Sequence, residues 1–141
     1  MPPSPDPAPD HSGATPREVA TRLYAAISSD DTATVGELVH PAATLSVPGD
    51  NPVSGDYRGI AGLARFTELT STIAPEGART EVVEVMGGEV RAAVYGVTRA
   101  VRPGRPDLFN PSIHLVTVED GKVTAVAIYN RDQAAVDAFW S

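Results

Sequence analysis

A histidine in a predicted β-strand is the side chain best suited to proton chemistry in this sequence. His114 lies in the segment 111–119, and strand alternation places it on one face with Ser112, Val116 and Val118. An imidazole titrates near neutral pH, so it can serve as an acid or a base. We predict that His114 is catalytic and faces a pocket. The alternative is a neutral histidine buried against a backbone carbonyl or in a dimer interface.

Tyr95 is a second catalytic candidate, because a phenol can donate a hydrogen bond to a developing oxyanion. It shares one face of the predicted strand 89–100 with Arg91 and Arg99. We expect Tyr95 and Arg99 to stabilise or bind the substrate. The alternative is that this polar face is the solvated outside of the sheet.

Asp132 is the third catalytic candidate, since a carboxylate can act as a base. It stands at the start of the predicted last helix. A carboxylate in that position also caps a helix, which lowers its pKa and makes it a poor base. Both interpretations remain open.

Aromatic and small side chains suggest a substrate pocket. Alanines alternate with larger residues on the predicted last strand, and small residues on a concave face leave room for a bulky, mostly apolar ligand. Aromatic residues at helical spacing either line such a cavity or fill the core. The candidate substrate-binding residues are Tyr24, Phe66, Arg99, Ala125, Ala127, Tyr129 and Trp140.

The pattern of apolar residues predicts the elements that position these side chains. Helices are expected at 16–28, 32–39, 60–73 and 132–139, and strands at 43–48, 80–86, 89–100, 113–119 and 122–129. The segment 49–59 is expected to be a loop. Gly87-Gly88 and Asp120-Gly121 are expected to form hairpin turns. This order predicts an α+β fold, in which a curved mixed or antiparallel sheet carries three helices on its concave face and a short C-terminal helix.

Length and composition exclude several functions. The chain has 141 residues, a formal net charge of −7 and no cysteine. We expect one domain over 15–141 after a flexible, proline-rich tail over 1–14. The excess of acidic residues disfavours nucleic acid, and no histidine pair has metal-ligand spacing. No apolar run could span a bilayer and the N-terminus lacks a basic start, so we expect a cytoplasmic protein with no membrane partner.

Two motifs carry a resemblance to a known family. One is the loop GDNPVSGDYRG at 49–59, which leads into a helix, and the other is the DGK turn at 120–122, with Asp132 following. Together with the order of elements, they make 16–141 resemble the SnoaL-like group of the nuclear transport factor two-like (ketosteroid isomerase-like) superfamily. The resemblance implies a cone-shaped α+β barrel of the cystatin-like kind with an internal ligand pocket. It also implies a homodimer formed through the outer sheet face, and chemistry without metal or organic cofactor.

The resemblance does not transfer one mechanism. Relatives include ketosteroid isomerases, polyketide cyclases and epoxide hydrolases, and other relatives only bind or dimerise. Ungapped alignment to the isomerase pattern places Val47 at the proton-abstracting aspartate and Leu23 at the oxyanion-hole tyrosine. The carboxylate of the polyketide cyclases falls on Arg131, one residue before Asp132.

The leading hypothesis is therefore a cofactor-free cyclase or isomerase of secondary-metabolite biosynthesis that acts on a polyketide-like ligand. His114 would be its acid–base group, in an apolar pocket. The alternatives are a ligand-binding or dimerisation protein of the same fold, and an epoxide hydrolase.

Overall fold

A single six-stranded sheet organises the domain, with the strand order β2-β1-β6-β5-β4-β3. The computed structural model describes residues 13–141. The helices are α1 (Pro16–Ser28), α2 (Thr32–Leu38), α3 (Gly59–Ile73) and α4 (Gln133–Trp140). The strands are β1 (Val39–Val47), β2 (Gly55–Arg58), β3 (Ala78–Gly87), β4 (Arg91–Ala100), β5 (Leu108–Glu119) and β6 (Lys122–Asn130). The β1–β6 pair is parallel and the other pairs are antiparallel, so the sheet is mixed and open.

Local signals fix the start of α1 and the turn before β6. The hydroxyl of Thr15 accepts a hydrogen bond from the backbone N–H of Glu18, which is the arrangement of a capping motif, a threonine followed three residues later by a glutamate. In the β5–β6 turn, Asp120 and Gly121 both have positive φ, of 51° and 74°. A two-residue turn of this type needs positive φ at both positions, and aspartate followed by glycine satisfies that need. The hairpin predicted at 120–121 is thus observed.

Three local predictions are wrong. The segment 49–59 is not all loop, because Gly55–Arg58 pairs with β1 as the edge strand β2. The β3–β4 connection is longer than the predicted Gly87-Gly88 turn, and neither glycine has a positive φ. β5 begins at Leu108, five residues before the predicted start of this strand at 113. Pro111 lies within it and has no N–H to donate, but its carbonyl accepts a hydrogen bond from the Arg131 N–H.

The helices cover one face of β4, β5 and β6, here called the inner face; the opposite side is the outer face. Two apolar clusters form the core on the inner side. The α1 cluster contains Val19, Ala20, Leu23, Tyr24, Leu38, Ala92, Val94, Val116, Val118 and Val123. The α4 cluster contains Val53, Ala74, Ala100, Leu108, Val136, Phe139 and Trp140. Because the clusters are separate, the inner face between them is free to carry polar residues.

The N-terminal tail predicted over 1–14 falls mostly outside the described residues. Ala14 is described, and it packs against the α1 cluster rather than belonging to a tail. Of the helices found in residues 13–141, none is long and apolar enough to cross a membrane.

Candidate functional site

A tyrosine from α1 and a histidine from β5 meet on the inner face of the sheet. The Tyr24 Oη and His114 Nδ1 atoms are 2.6 Å apart, and the ring centroids are 5.6 Å apart. Tyr24 is buried because α1 packs along β3 to β6 and also against α2. His114 is half-buried, and its neighbours across the sheet are Val94 and Ile128. Helix and sheet packing therefore hold both rings in place.

Burial decides the charge state of this pair. Desolvation lowers the pKa of His114 to about 4, and it raises the pKa of Tyr24 above its ordinary value. At neutral pH the imidazole is therefore uncharged and the phenol keeps its proton. The pair is a neutral hydrogen-bonded unit and not an ion pair.

The hydrogen bond also assigns the imidazole tautomer. Within residues 13–141 the Tyr24 hydroxyl has no other hydrogen-bond partner, so we assign it as the donor to Nδ1 of His114. A neutral imidazole that accepts at Nδ1 carries its proton on Nε2. That Nε2 has no protein partner in the described part of the chain, and it is not among the buried unpaired atoms. The Nε2–H of His114 is thus the donor of this pair that has no protein partner among the described residues.

The part of the inner face between the two apolar clusters, here called the cleft, carries His114. Along the inner face of β5, Val116 belongs to the α1 cluster and Leu108 to the α4 cluster, with His114 between them. None of the residues of α3 is buried, and its apolar stripe, which includes Phe66, stays half-exposed. Phe66 packs against the α4 cluster, which contains Trp140, so both residues lie with the core, the alternative to lining a pocket.

Tyr95 and Arg99 do not join His114, which corrects the predicted grouping. Val94 is paired with His114 on the inner face, so its neighbour Tyr95 points to the outer face, where it pairs with Ile113. Arg99 lies on the outer face too, with its guanidinium 4.8 Å from the centre of the Phe109 ring. Tyr95 and Arg99 thus lie on the outside of the sheet, as the alternative interpretation expects.

Three residues predicted to bind substrate are also on the outer face. Ala125, Ala127 and Tyr129 pair with Thr117, Leu115 and Ile113 of β5. Tyr129 is 59% exposed. The inner residues of β6 are instead Val126 and Ile128, so the small side chains do not widen the cleft. A shallow cavity of about 210 Å³ touches Tyr95, Ile113 and Tyr129, and Ser112 and Asn130 also contribute to its lining.

Asp132 is an exposed helix cap. Its carboxylate accepts a hydrogen bond of 3.1 Å from the Ala135 N–H at the start of α4. Of the two interpretations of this residue, the structure thus displays the cap. No group of three or more histidine, aspartate or glutamate side chains in residues 13–141 is arranged to hold a metal ion.

A row of polar residues lies beside His114 on the inner face of β5, and the sequence predicts only part of it. Ser112 and Asn110 are both buried, at 3% and 8% exposure. The amide of Asn110 donates to Asn130 Oδ1 at 2.8 Å. Strand alternation predicts Ser112 on the His114 face, whereas Asn110 lies outside the predicted strand. An asparagine two residues from a serine, at strand spacing, is the signal that the sequence offers.

Comparison with known proteins supports the fold. A model of the SnoaL-like domain family matches residues 20–126. An uncharacterized protein of Mycobacterium tuberculosis is 30% identical over 128 residues, covering 88% of this chain and 95% of that protein. Bal32a, from a soil-derived mobile gene cassette, is similar with a TM-score of 0.81 and 23% identity, over 88% of this chain and 95% of that chain.

More distant structures share the architecture. A putative polyketide cyclase from Sinorhizobium meliloti has a TM-score of 0.62 and 19% identity, covering 79% of this chain and 93% of that chain. Other solved structures with similar chains are described as NTF2-like proteins or as having a cystatin-like fold. These comparisons confirm the predicted α+β fold and the predicted resemblance.

Proposed function

Because the chain belongs to the SnoaL-like domain family, we propose that it is a cofactor-independent enzyme acting on the carbonyl group of a small, mostly apolar, polyketide-type molecule. The observation that carries the proposal is the 2.6 Å hydrogen bond between Tyr24 and His114. The similarity of the fold to a putative polyketide cyclase supports the ligand class. The reaction is ring closure or isomerisation, in which negative charge develops on the carbonyl oxygen.

His114 acts by donating a hydrogen bond from Nε2 to that oxygen. Tyr24 holds the ring through Nδ1, so the donor is oriented before the substrate arrives. A donor that the protein holds in a fixed orientation stabilises a developing oxyanion more than water does, since it does not have to reorient. Removal of one such donor from other enzymes costs about 2.7–4 kcal/mol of transition-state stabilisation.

Donation is favoured over complete proton transfer. If the carbonyl oxygen took the Nε2 proton, Nδ1 would take the proton of Tyr24 and leave a phenolate. Burial raises the pKa of Tyr24, so a phenolate there is disfavoured. His114 is therefore assigned as an oxyanion-stabilising donor, which revises the hypothesis of a general acid–base histidine.

The surroundings of Tyr24 and His114 favour a substrate that loses its C–H proton without the help of a strong base. In residues 13–141 no carboxylate is hydrogen-bonded to Tyr24 or His114. A β-dicarbonyl chain enolises readily in water, so it needs orientation and stabilisation of oxygen charge more than it needs a strong base. The two apolar clusters at the ends of the cleft would position such a chain.

The test is the conversion of a synthetic β-tricarbonyl ester, followed by mass spectrometry with and without the protein. His114→Ala should slow the reaction about 10²–10³-fold. His114→Gln should recover part of that loss, because its amide keeps an N–H donor. Tyr95→Phe on the outer face is the matched control and should react at the wild-type rate. Equal rates for wild type and His114→Ala would reject the proposal.

The same lack of a nearby carboxylate favours a second candidate, a non-catalytic binding protein. In that case the carbonyl compound binds and is released unchanged. The two candidates differ in one measurement: binding that depends on His114, with no product formed by the wild type, supports the binding protein.

We also propose that the outer face joins two copies of this chain. Its central strands present apolar side chains, among them Tyr95, Ile113, Leu115 and Tyr129, and no helix of the described residues packs over them. Exposed apolar patches of this kind mark interfaces in soluble proteins. A charge at Leu115, in the middle of this face, should therefore oppose association.

A further inference from the structure

Two buried polar atoms on the inner face of β5 have no hydrogen-bond partner in the described part of the chain. They are Oδ1 of Asn110 and Oγ of Ser112. These residues are only 8% and 3% exposed. A buried polar atom without a partner costs about 1–3 kcal/mol, so two adjacent examples require an explanation.

A chain of side-chain amides determines which atom Asn110 presents. The carboxylate of Asp137 can only accept, and it accepts from Gln133 Nε2 at 3.0 Å. Gln133 must therefore offer Oε1, which accepts from Asn130 Nδ2 at 2.9 Å. Asn130 in turn offers Oδ1 to the Nδ2 of Asn110 at 2.8 Å. Asn110 is left with a carbonyl oxygen, so it can only accept a hydrogen bond at this position.

Asp137 keeps this polarity because it stays ionised. Hydrogen bonds from the side chains of Asn51 and Gln133 and from the Asp50 N–H lower its pKa. Every amide in the chain would have to invert for Asn110 to present its NH₂ group, and that would place an amide oxygen against the carboxylate.

The unpaired atoms lie in line with the carbonyl-binding donor. His114, Ser112 and Asn110 alternate along one strand, so consecutive members are about 7 Å apart along the sheet. A ligand with its carbonyl oxygen on His114 would extend over Ser112 towards Asn110. The α4 cluster begins at the next inner position, Leu108.

We propose that Asn110 and Ser112 form a subsite that accepts a hydrogen bond from a hydroxyl group of the ligand. This inference rests on the proposed function for the other end of the ligand, the carbonyl on His114. The ligand class is then a planar hydroxyketone, with a phenolic or enolic hydroxyl remote from the carbonyl. A hydroxyl is specified because an acceptor oxygen requires a donor, and because Ser112 can pair with either part of that group.

Both unpaired atoms are buried from bulk solvent. Phe139 and Trp140 of α4 pack in one cluster with Leu108, next to Asn110 on the same face. A ligand hydroxyl at this position would give a buried acceptor its missing partner, which predicts a preference for the hydroxylated compound.

The experiment compares two probes by calorimetry: a tetralone with a ring hydroxyl para to its carbonyl, and the same tetralone without the hydroxyl. Wild type should bind the hydroxylated probe about tenfold more tightly, which corresponds to about 1.4 kcal/mol. Ser112→Ala and Asn110→Leu should lose this preference and keep the affinity for the plain tetralone. Equal affinity of wild type for both probes, including no measurable binding of either, would overturn the proposal.

A stability measurement provides an independent readout. Ser112→Ala removes an unpaired polar atom, so its melting temperature should equal or exceed that of wild type. The matched control is Ser54→Ala, because the Ser54 hydroxyl donates to the Pro48 carbonyl and accepts from the Asn51 N–H, and its loss should lower the melting temperature. A drop in Ser112→Ala as large as that in Ser54→Ala would also overturn the proposal.

Failure of the subsite and failure of the proposed function give different results. If His114→Phe binds the plain tetralone as tightly as wild type does, the carbonyl site is wrong. The preference for the hydroxylated probe in that variant then still reports on Asn110 and Ser112.

Discussion

The inner and outer faces of β5 show how neighbouring residues of one strand acquire different roles. On the inner face, Val116 is fully buried and His114 is hydrogen-bonded to Tyr24 of α1. On the outer face, Ile113 and Leu115 are half-buried and face residues of β4 and β6 only. The helices make the difference, because they exclude water from one side. The histidine with a lowered pKa therefore lies on the inner face, and the apolar surface suited to a second copy lies on the outer face.

The stability of the protein should differ most between the two faces when an aspartate is introduced on each. Val116→Asp buries a carboxylate among the apolar residues of the α1 cluster, and we expect a loss of more than about 4 kcal/mol or failure to fold. Leu115→Asp, one residue away, should fold with nearly normal monomer stability. Denaturant unfolding measures both variants.

Leu115→Asp also tests the proposed assembly. A carboxylate at the centre of an apolar interface opposes association, so sedimentation should show a dimer for wild type and a monomer for the variant. A Leu115→Asp protein that stays dimeric would show that the outer face is not the interface. A stable Val116→Asp protein would remove the distinction between the two faces.

The sequence patterns predict which segments form helices and strands better than they predict which side of a strand is buried. The capping motif at Thr15 and the aspartate-glycine turn at 120–121 are local, so they could be recognised within a few residues. Alternation along a strand divides its side chains into two sets, but it does not say which set is buried. That choice depends on the register between strands, so the sequence alone leaves both faces open for Tyr95.

The partner of His114 could not be predicted from the sequence. Tyr24 is 90 residues away along the chain, and the resemblance drew attention to its neighbour Leu23. Both are buried, because α1 contacts the sheet on one side and α2 on the other. Asn110 was missed because the prolines around it are typical of a loop, although β5 accommodates Pro111.

Burial of His114 should make the stability of the protein depend on pH. Its pKa falls from 6.5 to about 4 on folding, so between these values the unfolded chain binds a proton that the folded chain does not. Stability is therefore fully present above pH 6.5 and is lost as the pH falls towards 4, by about 3 kcal/mol in total.

His114→Phe should remove this dependence, as measured by urea unfolding across the pH range. His40→Gln is the control, because His40 lies exposed on β1, away from the cleft. An unchanged pH profile in His114→Phe would mean that the imidazole is solvated rather than buried.

Replacing a tyrosine by phenylalanine on each face should produce a smaller difference in stability between the two faces. Tyr24→Phe leaves Nδ1 of His114 without its donor, so we expect a loss of about 1–3 kcal/mol. Tyr95→Phe removes a hydroxyl that has no hydrogen-bond partner in residues 13–141, and its stability should change little.

Nitrogen NMR of the imidazole separates this effect from a general loss of packing. Wild type should show the tautomer protonated at Nε2, and Tyr24→Phe should shift the population towards protonation at Nδ1. A wild-type imidazole protonated at Nδ1 would reverse the assigned direction of the hydrogen bond and remove the donor from the proposed mechanism.

The smallest effect concerns Asp137, at the end of the amide chain that reaches the inner face. Its pKa is lowered in the folded protein by bonds from Asn51, Gln133 and the Asp50 N–H. A lowered carboxyl pKa stabilises the fold above the ordinary value of 3.8, and this contribution disappears as the pH falls below it. Asp137→Asn should therefore be less stable than wild type at neutral pH and should lose less stability on acidification.

Asp50→Asn is the control, because only the backbone N–H of Asp50 forms a hydrogen bond to Asp137. Parallel acid profiles for wild type and Asp137→Asn would show that the carboxylate does not fix the direction of the amide chain, and Asn110 would then be free to present either end of its amide to the cleft.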